Sequence, residues 1–168
     1  MSNLIDLYHP DLFCLTETWV KPTTTVTELA HCTPSNYSFL SYPRNPPSTK
    51  ISHSVIGGGT GFLIREPFTQ LPASLPNYSS FESSCLTLKL PSSKISVFNV
   101  YRPPSTSTFS KPFSVFLGEF CSFLSLAATT PHEFIITGDF NQYLDNPSDH
   151  FACQFLSVLS SFNLTQHE

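Results

Sequence analysis

An acid and an amide two residues apart close the apolar run Phe134-Ile135-Ile136-Thr137-Gly138-Asp139-Phe140-Asn141. Phe134, Ile135 and Ile136 are strand formers without an amphipathic period, the pattern expected of a buried strand covered on both faces. Gly138 breaks the run, and the spacing sets Asp139 and Asn141 on one side of the chain at the strand's end. Ligands of sheet proteins settle at such ends. A polar turn made of the usual turn residues is the alternative. Leu12-Phe13-Cys14-Leu15 reads as a second buried strand and delivers Glu17 at its tip. A third strand, ending at Tyr101, stops where Arg102-Pro103-Pro104 forbids further pairing, so Tyr101 and Arg102 are held at a strand end. Taken alone, Glu17 reads as a surface carboxylate and Tyr101 as packing. Together, three strand ends carrying two acids, an amide and a phenol make a candidate active site.

The elements that position these groups are short. Leu4 to Tyr8 reads as the last turns of a helix stopped by His9-Pro10-Asp11. Residues 21–54 are mostly loop, rich in Pro, Ser, Thr and Asn, with Tyr37 to Tyr42 as one strand. Gly57-Gly58-Gly59-Thr60-Gly61 feeds a strand at Phe62-Leu63-Ile64. This glycine run lacks the lysine and following helix of a phosphate-cradling loop, so its role is structural. Phe81 to Leu90 and Ile95 to Tyr101 form a hairpin around Pro91-Ser92-Ser93-Lys94, with Cys85, Leu86, Leu88 and Leu90 inward. Residues 112–128 repeat Phe113, Phe116, Leu117, Phe120, Phe123, Leu124 and Ala127 at helical spacing behind Pro112, and this stripe is core. Asn146-Pro147-Ser148-Asp149 opens a last amphipathic helix with Phe151, Phe155, Leu156, Leu159 and Phe162 on one face.

At 168 residues the chain is one domain's worth and can bury a core without staples. A net charge of −4 gives no basic footprint of a stable nucleic-acid binder, yet it allows an enzyme that meets a phosphodiester briefly. Five widely spaced cysteines, an odd number in mostly apolar surroundings, suggest neither a disulfide framework nor a zinc site. A reducing cytoplasmic or nuclear compartment fits this cysteine usage and is the expectation. No apolar stretch is long enough for a membrane span, and Met1-Ser2-Asn3-Leu4 does not open a secretion signal, so neither secretion nor insertion is expected.

Four segments occur in order: Leu15-Thr16-Glu17-Thr18-Trp19, Gly59-Thr60-Gly61-Phe62, Phe98-Asn99-Val100-Tyr101-Arg102-Pro103-Pro104, and Ile136-Thr137-Gly138-Asp139-Phe140-Asn141. In order and rough spacing the chain resembles the endonuclease domain of LINE-type non-LTR retrotransposons, in the DNase I-like endonuclease/exonuclease/phosphatase superfamily. The resemblance covers almost all of residues 1–168, read as one domain. It implies a mixed α/β fold, a four-layered αββα sandwich of two sheets face to face with helices outside. It also implies Glu17 as the ligand of a divalent metal, magnesium with manganese as the substitute. Tyr101 then contacts the scissile phosphate, Asp139 orients or deprotonates the attacking water, and Asn141 helps hold the phosphate and its developing charge. These roles suit phosphodiester hydrolysis, in which a metal offsets negative charge and a carboxylate activates water.

The family pattern also has a first-strand asparagine, and later strands with an aspartate and a Ser-Asp-His motif. These have no equivalents in residues 1–168, so the expectation is a domain truncated at both ends, with an incomplete sandwich and impaired DNA nicking. Ser148-Asp149-His150 is not taken as that motif, because it follows Asn141 by only seven positions at a helix start. His167 is no better placed. DNA is the expected transient partner, and a reverse transcriptase domain the neighbour in a full-length element. The alternatives are a non-catalytic remnant, with or without a binding role, and a phosphatase of the same superfamily acting on a phosphoester.

Overall fold

The computed structural model describes residues 2–44, 57–146 and 148–167. The elements in chain order are α1 (Ser2–Tyr8), β1 (Leu12–Thr16), α2 (Val26–Cys32), β2 (Tyr37–Tyr42), β3 (Thr60–Arg65), β4 (Thr69–Ala73), β5 (Glu82–Lys89), β6 (Lys94–Tyr101), α3 (Phe113–Ala127), β7 (Phe134–Asp139) and α4 (His150–Ser161). The loop reading of residues 45–54, and Pro147 within the expected start of α4, lie outside the described residues.

Two sheets form: a three-stranded one in the order β1-β3-β2, and a four-stranded one in the order β4-β5-β6-β7. All pairings are antiparallel except β6 with β7, which run parallel and are joined by α3. Alternate residues of β5 and β6 point to opposite faces of the second sheet, and each face feeds its own core. Leu86, Leu88 and Val97 meet Phe62 and Ile64 of the first sheet. Cys85, Phe98 and Val100 meet Phe116, Phe120 and Phe123 of α3 and Phe155 of α4. The architecture is therefore a mixed α/β sandwich, with helices packed on the outer face of the four-stranded sheet. Of the inward set expected on β5, Cys85 faces the helices whereas Leu86 and Leu88 face the other sheet; Leu90 falls just past the strand and is only half-buried. The five cysteines form no disulfide.

Four expectations are corrected. β1 is half-buried along its length because it is an edge strand of its sheet. β7 is likewise an edge strand: Phe134 and Ile136 pack toward α3 and α4, but Ile135 on the opposite face is 50% exposed. A helix, α2, interrupts the supposed loop after Lys21, opened by a capping box in which Thr25 and Glu28 bond reciprocally; it buries none of its residues. Phe151 does not join the buried face of α4, being 49% exposed, although its ring lies 4.7 Å from that of Phe113. The strand β4 also went unforeseen. It contains Pro72, which is tolerated because β4 is an edge.

Candidate active site

β1, β6 and β7 all end at the same rim of the sandwich. Tyr101 and Asp139 are register partners across β6 and β7, so their side chains leave the sheet on the same side. That side faces the first sheet, where the chain leaving β1 presents Glu17. The phenolic hydroxyl of Tyr101 donates to Oε1 of Glu17, across 84 residues of sequence. Glu17, Asp139 and Asn141 are exposed, while Tyr101 is only 2% exposed.

The Asp139 side is held by hydrogen bonds of its own. The backbone N–H of Asn141 donates to Oδ1 of Asp139 at 2.9 Å, and its Nδ2 donates to Oδ2 at 3.3 Å and to the carbonyl of Arg102 at 2.7 Å. The Arg102 N–H donates to the Asp139 carbonyl at 2.8 Å. Its buried guanidinium donates to the Phe140 carbonyl at 3.3 Å and lies over the rings of Phe116, at 4.8 Å, and Phe113, at 5.3 Å. Removal from water lowers the pKa of Arg102. The structure thus joins Tyr101 to Glu17 by direct contact, joins Asp139 to Asn141 by direct contact, and connects the two pairs through the β6–β7 pairing and the backbone of Arg102.

Local strain accompanies this arrangement. Glu17, Trp19 and Asn141 have φ of 51°, 56° and 49°, the left-handed region that side chains other than glycine seldom occupy. The bend after β1 is fastened to the glycine run: the Thr18 and Trp19 N–H groups donate to the carbonyls of Gly59 and Gly58 at 3.2 and 2.9 Å. A Cβ on Gly59, whose φ is +87°, would lie 2.6 Å from Oγ1 of Thr18. The structural role read for this run is therefore to fix the bend that carries Glu17.

Burial raises the pKa of Tyr101, and the hydrogen bond and negative charge of Glu17 raise it further. Tyr101 is thus a neutral phenol that can only donate to an anion at ordinary pH. Glu17 offers an exposed hard-oxygen donor, and among the described residues no group of three or more His, Cys, Asp or Glu gathers into a cage. This donor set fits a hydrated magnesium ion held by few carboxylates and by substrate phosphate. It does not fit a site built wholly from protein ligands.

Three contributors were not foreseen. Asn99 is fully buried and donates from Nδ2 to the carbonyls of Leu15, at 2.8 Å, and Gly61, at 3.2 Å, in the facing sheet. Its signal was a lone amide inside the apolar strand Val97-Phe98-Asn99-Val100. Glu82, opposite Tyr101 in the β5–β6 register, pairs with Arg44 and accepts from the Gly59 N–H at 2.6 Å. The guanidinium of Arg44 sits 5.8 Å from the Tyr101 ring centroid. These two residues are separated by 38 positions, and no local pattern marks them. The Ser148-Asp149-His150 segment serves a helix start: Asp149 is the N-cap of α4 and accepts from the Phe151 N–H at 2.9 Å.

Among solved structures, an AP endonuclease from Leishmania major is similar with a TM-score of 0.66 and 17% identity, over 96% of this chain and 60% of that one. The endonuclease domain of TRAS1, a telomere-specific non-LTR retrotransposon, is similar with a TM-score of 0.63 and 10% identity, over 94% of this chain and 62% of that one. D. rerio TDP2, in complex with a single-strand DNA product, is similar with a TM-score of 0.59 and 13% identity, over 98% of this chain and 56% of that one. The chain thus spans about 60% of the length of these structures. No curated protein matches the sequence significantly. The family profile matches residues 1–165, and with it the two-sheet sandwich acquires its classification: the chain belongs to the Endonuclease/Exonuclease/phosphatase family.

Proposed function

We propose that these residues form part of a LINE-type retrotransposon endonuclease domain whose reaction is magnesium-dependent hydrolysis of a DNA phosphodiester, nicking one strand. The supporting observation is the rim where the Tyr101 hydroxyl meets Glu17 beside the hydrogen-bonded Asp139 and Asn141. In this reading the neutral phenol of Tyr101 turns its single O–H from Glu17 to a non-bridging phosphate oxygen, and Asp139 accepts the proton of the attacking water. Asn141 keeps the Asp139 carboxylate turned toward that water, and reaches the phosphate by releasing the longer of its two Nδ2 bonds. Bound at Glu17, magnesium supplies positive charge against the phosphodiester. The TRAS1 endonuclease domain and TDP2 with its DNA product support nucleic acid as the partner, while ANGEL2, a 2',3'-cyclic phosphatase, is similar to the chain as well.

A polypeptide of these 168 residues is expected to nick slowly, because the resemblance places a Ser-Asp-His group in the complete site and groups that act together lose most of the rate when one is removed. The test is incubation with supercoiled plasmid and magnesium. Slow conversion to the open circle, abolished by Asp139→Ala and by chelation, is the expected result. Conversion that Asp139→Ala leaves untouched rejects the assignment of the site.

A further inference from the structure

Beside the Tyr101 rim lie two adjoining clefts, of about 490 and 340 Å³, which share Arg44, Tyr78, Phe81 and Glu82 as walls. Both volumes are within the range of small-ligand sites. The shared wall is built around a cation. Arg44 is 92% buried at its side chain, ion-paired through Nε to Glu82, and its guanidinium lies 4.5 Å over the ring of Phe109. Gly58 packs so close to the guanidinium that a Cβ there would fall 2.3 Å from Cζ. One donor of this fixed group is unspent: Nη2 is buried and has no hydrogen-bond partner among the described residues. An unpaired buried guanidinium N–H is costly, and it is relieved by an anionic or carbonyl oxygen.

Electrostatics and stacking both suit a nucleotide here. The Glu82 carboxylate would repel a phosphate, but both its oxygens are engaged, one by Arg44 and the other by the Gly59 N–H. The exposed Lys111 stands on the rim of the smaller cleft. Tyr78, stacked on Phe81 at 4.5 Å, and Phe109 offer aromatic surface of the kind on which unstacked bases settle. Glu82 is the register partner of Tyr101, so the wall is one strand away from the site. A neighbouring nucleotide of a strand whose phosphate sits at Tyr101 is within reach.

Resting on the proposed phosphodiesterase reading, we infer that the Arg44 cleft is a nucleotide subsite: a turn of the Arg44 side chain brings the covered Nη2 to a phosphate oxygen of the nucleotide flanking the scissile bond, and Tyr78 and Phe109 cover its base. The experiment measures binding of a fluorescein-labelled thymidine octamer to the full chain by anisotropy at low salt without divalent metal. A second octamer carrying 4-thiothymidine is photocrosslinked to the wild-type protein. Arg44→Gln is expected to weaken binding about tenfold, for the loss of one charge-assisted hydrogen bond. Phe109→Ala is expected to weaken it severalfold, and the crosslinks are expected at Tyr78 or Phe109. If Arg44→Gln does not fold, the crosslink map of the wild type decides. Binding unchanged in both variants, or crosslinks only elsewhere, overturns the subsite and leaves the phosphodiesterase reading standing if plasmid is still nicked. Nicking without any octamer binding likewise overturns the subsite alone. Absence of both overturns the two readings together.

Discussion

Gly138→Ala is the sharpest perturbation of the junction between β6 and β7. Gly138 has φ +141° and pairs with Val100, one step before Tyr101 pairs with Asp139. An added Cβ would lie 1.8 Å from the carbonyl oxygen of Val100 and 2.7 Å from its C and N atoms, all backbone that no rotamer can clear. Ordinary contact begins near 3.4 Å, so the strands must part by roughly 1.6 Å, beyond the reach of ladder hydrogen bonds. Forcing a side chain into this backbone region costs about 1–3 kcal/mol. Losing two ladder bonds adds about 1 kcal/mol each. A destabilisation of about 3–5 kcal/mol is a large share of the stability of a typical domain, and in a chain of this size it lowers Tm by roughly 6–20 °C. The assay is thermal melting with urea unfolding as a second measure. Gly118→Ala serves as the control of opposite sign: Gly118 lies within α3, a Cβ there meets nothing within 4 Å, and the substitution should stabilise by about 0.5–1 kcal/mol. A Gly138→Ala variant melting within about 2 °C of the wild type would refute the close-approach argument.

Three further outcomes are expected. Tyr101 ionises above its ordinary value of 10, so the stability from its neutral form is complete below about pH 10 and is lost as pH rises toward the raised value; ultraviolet difference titration should show that Glu17→Gln brings the pKa down only part of the way, because burial is the largest cause. Asp149→Ala should lower stability by about 1 kcal/mol through loss of the α4 cap while leaving plasmid nicking at the wild-type level; a nicking loss larger than the unfolded fraction explains would show that this segment takes part in catalysis. Ile135, 50% exposed on the edge strand β7, is expected to make the wild type self-associate in light scattering, and Ile135→Lys to reduce this with a change in stability within about 0.5 kcal/mol; no association in the wild type, or equal association in both proteins, would refute that role.

The parts of this fold that were legible are those with a strong local pattern. The Phe stripe of α3 has a helical period, the β5–β6 hairpin alternates around a Pro-Ser-Ser turn, and the glycine run stands before an apolar strand. An apolar run reports a strand but not its place in the sheet, which is why β1 and β7 were expected in the interior and are found at edges. The helix α2 escaped because it buries nothing and so has no hydrophobic period, although Thr25 and Glu28 carried a capping signal. Strand β4 was hidden by Pro72, whose missing N–H matters little at an edge. For the site, strand ends and residue types marked Glu17, Tyr101, Asp139 and Asn141. The Arg44–Glu82 pair depends on β2, β3 and β5 coming together, and a one-dimensional reading has no access to that.

The amide of Asn99 works as a key between two plates. Its side chain starts in one sheet and is bonded to two adjacent strands of the other, at Leu15 and Gly61, two positions before Glu17 and two after Gly59. Sliding one sheet over the other along the strands must shear both bonds, and the same slide would carry Glu17 away from Tyr101. The alignment of the rim is therefore set by inter-sheet registration more than by the loops that surround it. Lengthening the connection at residues 105–110 should leave that alignment intact, whereas Asn99→Leu should preserve the fold and still let the two halves of the site drift apart.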